Sequence, residues 1–219
     1  MNYSEAYKNM VQGSLWNFIK TVANPNKIIL PLILYFDDLK IDNPLESHAG
    51  YYKIGCLYYN IPTIPLKYSS YLENIFISTF ISTLFYNSDR CHYGNTTVLK
   101  HILNELKILE NNGLYIKNDN QHIYFAFCFM TGDNLSIHSI LGLTESFSSN
   151  YCKFCLADKN LTKKLITEQS NLLRLKNEYV YYLENKNFGI KERCIFNDLK
   201  FLLPYIYVNQ CINVMHDLI

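Results

Sequence analysis

Apolar positions along this chain recur with two spacings, and the changes between them mark out its elements. Residues 4–23 place Ala6, Met10, Val11, Leu15, Phe18, Ile19 and Val22 at helical spacing. This predicts a helix, weak at Gly13 and ended by Asn24-Pro25-Asn26. Residues 28–36 are then apolar or proline without interruption, as in a buried central strand, and the run closes on Asp37 and Asp38. After the turn Asp42-Asn43-Pro44, residues 51–61 and 75–84 are rich in β-branched and aromatic side chains, the first stretch stopping at Pro62 and Pro65. Three strands in succession predict a meander.

The period changes over residues 96–112, where Val98, Leu99, Ile102, Leu103, Leu106 and Leu109 form one apolar helical stripe. Thr96 or Thr97 is the expected cap and Gly113 the expected stop. A fourth strand is expected over residues 122–130, running into Thr131-Gly132-Asp133-Asn134. Beyond it, residues 135–147 predict a short helix, and residues 161–186 a long amphipathic one with a solvated face.

Three strands, a helix and a strand, with acids after the first and fourth strands, is the order of an RNase H-like nuclease or transferase core. The expected fold is therefore α/β: a mixed sheet with a three-strand meander, a helix and a parallel fourth strand, followed by a mainly helical insertion. Residues 1–27 are the N-terminal helical segment, residues 28–147 a partial catalytic core, and residues 148–219 the insertion, truncated at its carboxyl end.

Composition agrees with a folded protein. With 219 residues, 49% hydrophobic and 15% aromatic, the chain can bury a sizeable core. Twenty basic against nineteen acidic residues give a net charge of +1, without the basic excess of a self-sufficient nucleic-acid binder. Contact with DNA is expected to be weak and local, or supplied by a missing domain. Seven cysteines, an odd number with one close pair, point to a reducing compartment. The amino terminus has no signal-peptide core, and the longest apolar run, broken by Pro31, falls short of the roughly 20 residues a membrane span needs. A soluble intracellular protein of nucleus or cytoplasm, without membrane contact, is expected.

The acids carry the candidate chemistry. Side chains alternate across a strand, so Asp37 and Asp38 point to opposite faces and only one belongs to a given site. Were the first and fourth strands parallel neighbours, Asp37 and Asp133 would meet at one edge of the sheet. Two such carboxylates can hold a pair of Mg²⁺ ions roughly 3.5–4 Å apart that activate a nucleophile and stabilise the leaving oxygen at phosphorus. The plainer reading of an acid at a strand end is a turn-former or helix cap. His138 is similarly either a support for the site or a core or cap histidine. Cys152 and Cys155 form half of a zinc site, for which Cys194, Cys211 and His216 are the available donors, or else a buried structural pair. Lys163, Lys164, Arg174 and Lys176 either contact phosphate or form a soluble face.

Resemblance adds to this reading. The series YFDDLKIDNPLESHAG, KIGCLYYNIP, TGDNLSIHSILGLTESFSSNYCKFC and VMHDLI resembles the DDE transposase-derived proteins of animals, and more distantly is similar to the Tnp2-type transposases of CACTA elements. The resemblance covers residues 28–219 and preserves the order of the motifs. It implies an RNase H-like core that cuts and joins DNA with Mg²⁺ or Mn²⁺. Asp37 matches the first catalytic acid, with Asp38 where that pattern has Gly, and Asp133 matches the second. Cys152 and Cys155 match a zinc-binding insertion, while His216 and Asp217 match a terminal His-Asp.

The third catalytic acid is not identified: Asp217 is one option and a residue beyond the chain end the other, with Glu145 and Glu192 the further acids to examine. Without a separate DNA-binding domain, the chain reads as a fragment or a degenerate or domesticated copy. Three functions stay open: an ancestral transposase core, a catalytically dead DNA- or protein-binding scaffold, and a host RNase H-like nuclease. A homo-oligomer is also open.

Overall fold

The computed structural model describes residues 12–40, 53–69, 71–82, 92–94, 96–144, 149–150, 152–167, 169–200 and 211–212. Helix α1 (Ser14–Val22) precedes strands β1 (Ile28–Lys40) and β2 (Lys53–Asn60), the short helix α2 (Leu66–Ser69) and β3 (Phe76–Ser82). Then come α3 (Lys100–Asn111), β4 (Leu114–Ile116), β5 (Gln121–Gly132) and α4 (Asn134–Ile140). Two further short helices, α5 (Lys159–Thr162) and α6 (Tyr179–Glu184), and a last strand β6 (Cys211–Ile212) follow, with single 3-10 turns at Leu72–Asn74, Ser170–Leu172, Lys176–Glu178 and Ile195–Asp198. The fold is mixed α/β. Its sheet runs β3-β2-β1-β5-β4, and β6 pairs with β5.

The expected meander is present, because β1 pairs antiparallel with β2 and β2 with β3. The expected parallel pairing of β1 with the strand before Asp133 is present too. Helix α3 ends as anticipated: Gly113 takes a φ of +67°, which is cheap only for glycine, and its N–H reaches back to the Ile108 carbonyl at 3.2 Å. Its beginning differs. Residues 96–98 are helical, but the residue capping Lys100–Asn111 is Leu99, which makes no side-chain cap hydrogen bond. The chain then turns at once into the β4–β5 hairpin, with Leu114 opposite Ile123, an element too short to show a period in the sequence.

Alternation sorts the strand side chains between two cores. Leu32, Leu34 and Phe36 of β1 enter the larger one with Leu57 of β2, Phe125, Phe127 and Met130 of β5, and Leu99, Ile102, Leu103 and Leu106 of the α3 region. Each fully buried aliphatic side chain there contributes about 1.5–3 kcal/mol of transfer free energy. Tyr179, Tyr182, Ile190, Cys194, Ile195, Phe196 and Leu199 belong to the same core. On the other face Trp16 and Ile19 of α1 cover Ala126 and Cys128, with Ile29 packed alongside.

One irregularity in β5 governs where its end points. Leu32 pairs with Phe127 but Ile33 pairs with Phe129, so Cys128 is an extra residue. Upstream of this slip the odd-numbered residues Phe125 and Phe127 face the larger core; downstream the even-numbered Met130 does. A one-residue shift therefore moves Thr131, and the continuation to Asp133, onto the face that carries α1.

Two expectations are corrected. Strand β1 does not stop at its acids: it runs on to Lys40, with Asp37 opposite Cys56 and Asp38 opposite Gly55, because β2 continues to pair after β5 has turned away. Nor is there a long helix over residues 161–186. Asp158 caps α5 by accepting from the Asn160 and Leu161 N–H groups, and that helix lasts four residues. Downstream the backbone is used by the CxxC segment instead: the Leu156 N–H donates to Leu172 O at 2.8 Å, and the Arg174 N–H to Phe154 O at 3.2 Å. Pairing of this kind leaves Ser170–Leu172 as a single 3-10 turn and holds Leu173 extended, overriding the helical spacing of the leucines.

The last β1–β5 pair, Phe36 with Gly132, is tight: a Cβ at residue 132 would run into the Phe36 carbonyl oxygen. We expect Gly132→Ala to cost about 1–3 kcal/mol. Urea denaturation of the two proteins measures it, and a variant within 0.5 kcal/mol of wild type, roughly the surface-substitution range, would show the strands free to part there.

Candidate functional site

The parallel pairing of β1 with β5 ends at Phe36 and Gly132, so Asp37 and Asp133 each stand one residue beyond the last pair. Both are exposed. Asp37 shares its face with Tyr35, two positions earlier, and Tyr35 registers with Thr131, two positions before Asp133. Alternation thus places Asp37 and Thr131 on the α1-bearing face, and Asp133 follows the end of β5 at the same end of the sheet. Asp133 also directly precedes α4, whose Ile137 N–H donates to its backbone oxygen at 3.0 Å. It stands where a helix cap stands, so the cap and ligand roles fall on one residue.

The surroundings of Asp37 are aromatic. Tyr35 and Tyr58, opposite each other in register, stack with ring centroids 5.0 Å apart and planes 4° from parallel. Burial, and then the neighbouring Asp37 carboxylate, hold the Tyr58 hydroxyl above its usual range; the same two causes push up the Cys56 thiol. Both side chains therefore remain neutral near Asp37 at physiological pH. Thr131 is 2% exposed, and its hydroxyl has no hydrogen-bond partner among the described residues.

Carboxylate and hydroxyl oxygens such as those of Asp37, Asp133 and Thr131 are hard donors, which suit Mg²⁺ or Mn²⁺ better than a soft metal. No group of three or more His, Cys, Asp or Glu side chains able to hold a metal occurs among the described residues. Of the acids considered for the third position, Glu145 and Asp217 lie outside the described residues. Glu192 is tied to the opposite end of α4 from Asp133. Its N–H and that of Lys191 donate to Gly142 O at 3.2 and 2.8 Å, about 10 Å along the helix from Asp133 at 1.5 Å per residue.

The cysteine pair sits on a tight turn in which the Cys155 N–H donates to Cys152 Sγ at 3.3 Å. Arg174 clamps this turn: Nε and Nη2 donate to Cys152 O at 3.0 and 2.9 Å, and Nη2 also reaches Phe188 O at 2.6 Å. Arg174 is thus buried against carbonyls instead of lying on a solvated face, whereas Lys163 and Lys164 are exposed. Burial, then the hydrogen bond with Cys152, push the Cys155 thiol up to about 11. Two thiols supply half of a tetrahedral zinc set. Cys194 is fully buried in the larger core, where burial raises its thiol to about 12. That makes it inert, as burial also does for Cys128 at about 12. Cys211 lies in β6, opposite Met130, and His216 lies outside the described residues. His138 is buried, and its backbone oxygen accepts from the Leu143 N–H at 2.8 Å.

Two features had no readable signal in the sequence. The slip at Cys128 adds one residue to an apolar run that looks continuous. The burial of Arg174 comes from carbonyls that are distant in sequence. No family model and no curated protein matches this chain. No helix among the described residues is long and apolar enough to cross a membrane.

Zinc displaces thiol protons, so any affinity at Cys152 and Cys155 depends on pH. Because Cys155 is protonated up to about pH 11 in the free protein, we expect zinc affinity to rise about tenfold per pH unit between pH 6.5 and 8.5 for that proton alone. Competition titration against a chromogenic chelator measures the slope. A pH-independent affinity, or one that survives Cys155→Ser, places the ion elsewhere.

Proposed function

We propose that this chain is an RNase H-like domain derived from a DDE transposase. On this reading its ancestral activity is divalent-metal-dependent cleavage and transfer of DNA strands. One observation carries the proposal: the parallel β1–β5 pairing ends at Phe36 and Gly132, one residue before Asp37 and Asp133. The strand order supports it as well, with an antiparallel meander on one side of β1, a parallel neighbour on the other, and β6 parallel beyond that neighbour.

Asp37 and Asp133 would hold the ions through their carboxylate oxygens, and Thr131 would offer its hydroxyl to the bound water shell. The ions would lower the pKa of the attacking water or 3′-hydroxyl and stabilise charge on the leaving oxygen. Around them the residues of the chain do the positioning. Phe36 and Gly132 form the last pair before the two acids, and the Tyr35–Tyr58 stack keeps an aromatic, half-buried wall beside Asp37.

A second reading is that of a catalytically dead binding scaffold, in which Asp37 and Asp133 stand at the ends of neighbouring strands without a third acid to complete the site. In-line phosphoryl transfer needs both ions held, and two carboxylates leave one poorly fixed. The net charge of +1 further limits phosphate neutralisation and hence binding at physiological salt. We therefore expect metal binding without efficient DNA cleavage by the 219-residue chain.

Thermal melting tests the site. Mn²⁺ at about a hundredfold excess over its Kd is expected to stabilise the protein by about 2.7 kcal/mol, a rise of roughly 5–10 °C, abolished by Asp37→Ala or Asp133→Ala and retained in Asp38→Ala. A wild type indifferent to Mn²⁺ would remove the shared site. In a supercoiled-DNA nicking assay, robust Asp133-dependent cleavage would replace the scaffold reading with an active enzyme.

A further inference from the structure

Lys153, between the two cysteines, is 4% exposed. An ammonium group loses much hydration on burial and must regain it from oriented polar atoms. One of these is the side-chain oxygen of Asn134, 3.5 Å from Lys153 Nζ, and the stem passes so that the ammonium also lies 5.0 Å from the centre of the Phe154 ring. Asn134 is the first residue of α4 and immediately follows Asp133. The CxxC turn thus makes a charged contact with the residue next to the second candidate acid.

That turn is well anchored. Arg174, 7% exposed, binds the Cys152 and Phe188 carbonyls together. The Thr144 N–H donates to Gly189 O at 2.7 Å, and the Thr144 hydroxyl to Asn150 O at 3.2 Å, which ties the segment entering the CxxC turn to the same loop. Cys155 and Leu173 form an isolated antiparallel bridge. Neither Lys153 nor the acid-bearing turn belongs to a long regular element: α4 has seven residues, and the strand before it ends at Gly132. The slip in β5 sets the face on which the strand ends, and a contact from outside β5 and α4 can hold the turn that follows Gly132.

We infer that Lys153 is a positioning residue for Asp133. Its ammonium, held in place by the clamped CxxC turn, fixes Asn134 and with it the turn that presents the Asp133 carboxylate. This rests on Asp133 being a metal ligand only for its functional consequence; the positioning itself is a property of the metal-free chain. The role of the CxxC segment is then to hold a strut behind the carboxylate site, whether or not the thiols carry an ion.

The metal-free, full-length chain provides the test. The Ile137 N–H, which donates to Asp133 O at 3.0 Å, reports on the turn by hydrogen exchange. In Lys153→Met that amide is expected to exchange at least tenfold faster, while the β5 amides from Phe125 to Met130 keep wild-type rates. Asn134→Ala, which retains the charge but loses the contact, should accelerate the same amide, and the double variant should be no faster than the faster single one. Unchanged Ile137 exchange in both single variants, or strictly multiplicative effects in the double one, would overturn the inference. Should Lys153→Met loosen every amide, Asn134→Ala alone decides, since acceleration confined to the turn supports the strut and wild-type exchange refutes it. Mn²⁺ titration separates the two levels of the argument. A wild type that binds Mn²⁺, weakened about fivefold by Asn134→Ala, supports the link to function; a wild type that binds none removes the ligand reading and leaves the exchange result to judge the strut.

Discussion

The arrangement at the end of this sheet depends on one extra residue in one strand. Between Leu32 and Ile33 the β1–β5 register slips past Cys128, and the side chains of β5 change faces there. Had the ladder run without the slip, Asp133 would stand on the side of Phe125, Phe127 and the larger core, across the sheet from Asp37. With it, Tyr35 and Thr131, each two positions before an acid, share a face. The slip is stabilised where it occurs: the Cys128 side chain is completely buried, packs beneath Trp16 and Ile19, and donates its S–H to Ala126 O at 3.2 Å. The amino-terminal helix therefore does more than cover apolar surface. It seals the irregularity that sets the direction of the acid-bearing end.

A second constraint follows from how closely the strands approach at that end. Only a residue without a Cβ lets β5 lie against the Phe36 carbonyl, so the two acids emerge from backbones that cannot drift apart at their last pair. From there the two chains diverge. Strand β1 continues along β2 to Lys40, and β5 turns into α4. The point where one strand goes on and its neighbour turns aside leaves the ends of both acid-bearing segments exposed.

The segment after α4 is built differently. It has little regular structure, and its order comes from polar groups driven inside and satisfied there. Arg174 binds three times to carbonyl oxygens, and Lys153 is matched by an amide oxygen and a ring face. Buried cations of this kind contribute little net stability after desolvation, but they penalise any arrangement that leaves them unpaired. That makes them suited to holding one loop geometry beside a site. The large side chains that follow, Tyr179, Tyr182 and Phe196, then enter the same core as β1 and β5, so the loop is fastened to the sheet at both of its ends.

Much of the fold was legible in the chain itself. An apolar run as long as residues 28–36 has to be a buried strand, the stripe from Leu99 to Leu109 has to be a helix, and Gly113 has to end it; these are local consequences of spacing and backbone freedom. That the strands leading to Asp37 and Asp133 are parallel neighbours also followed from element order. What spacing could not show was the face on which Asp133 would lie, because a single inserted residue inside an apolar strand leaves no mark in composition or period. Nor could it show that residues 161–186 would break into short pieces, since their leucines keep helical spacing while their backbone groups are claimed by the CxxC segment. Arg174 read as a phosphate contact or part of a soluble face for the same reason. Whether a cation is buried depends on which distant carbonyl and amide oxygens the tertiary structure brings within reach, and no local pattern carries that information.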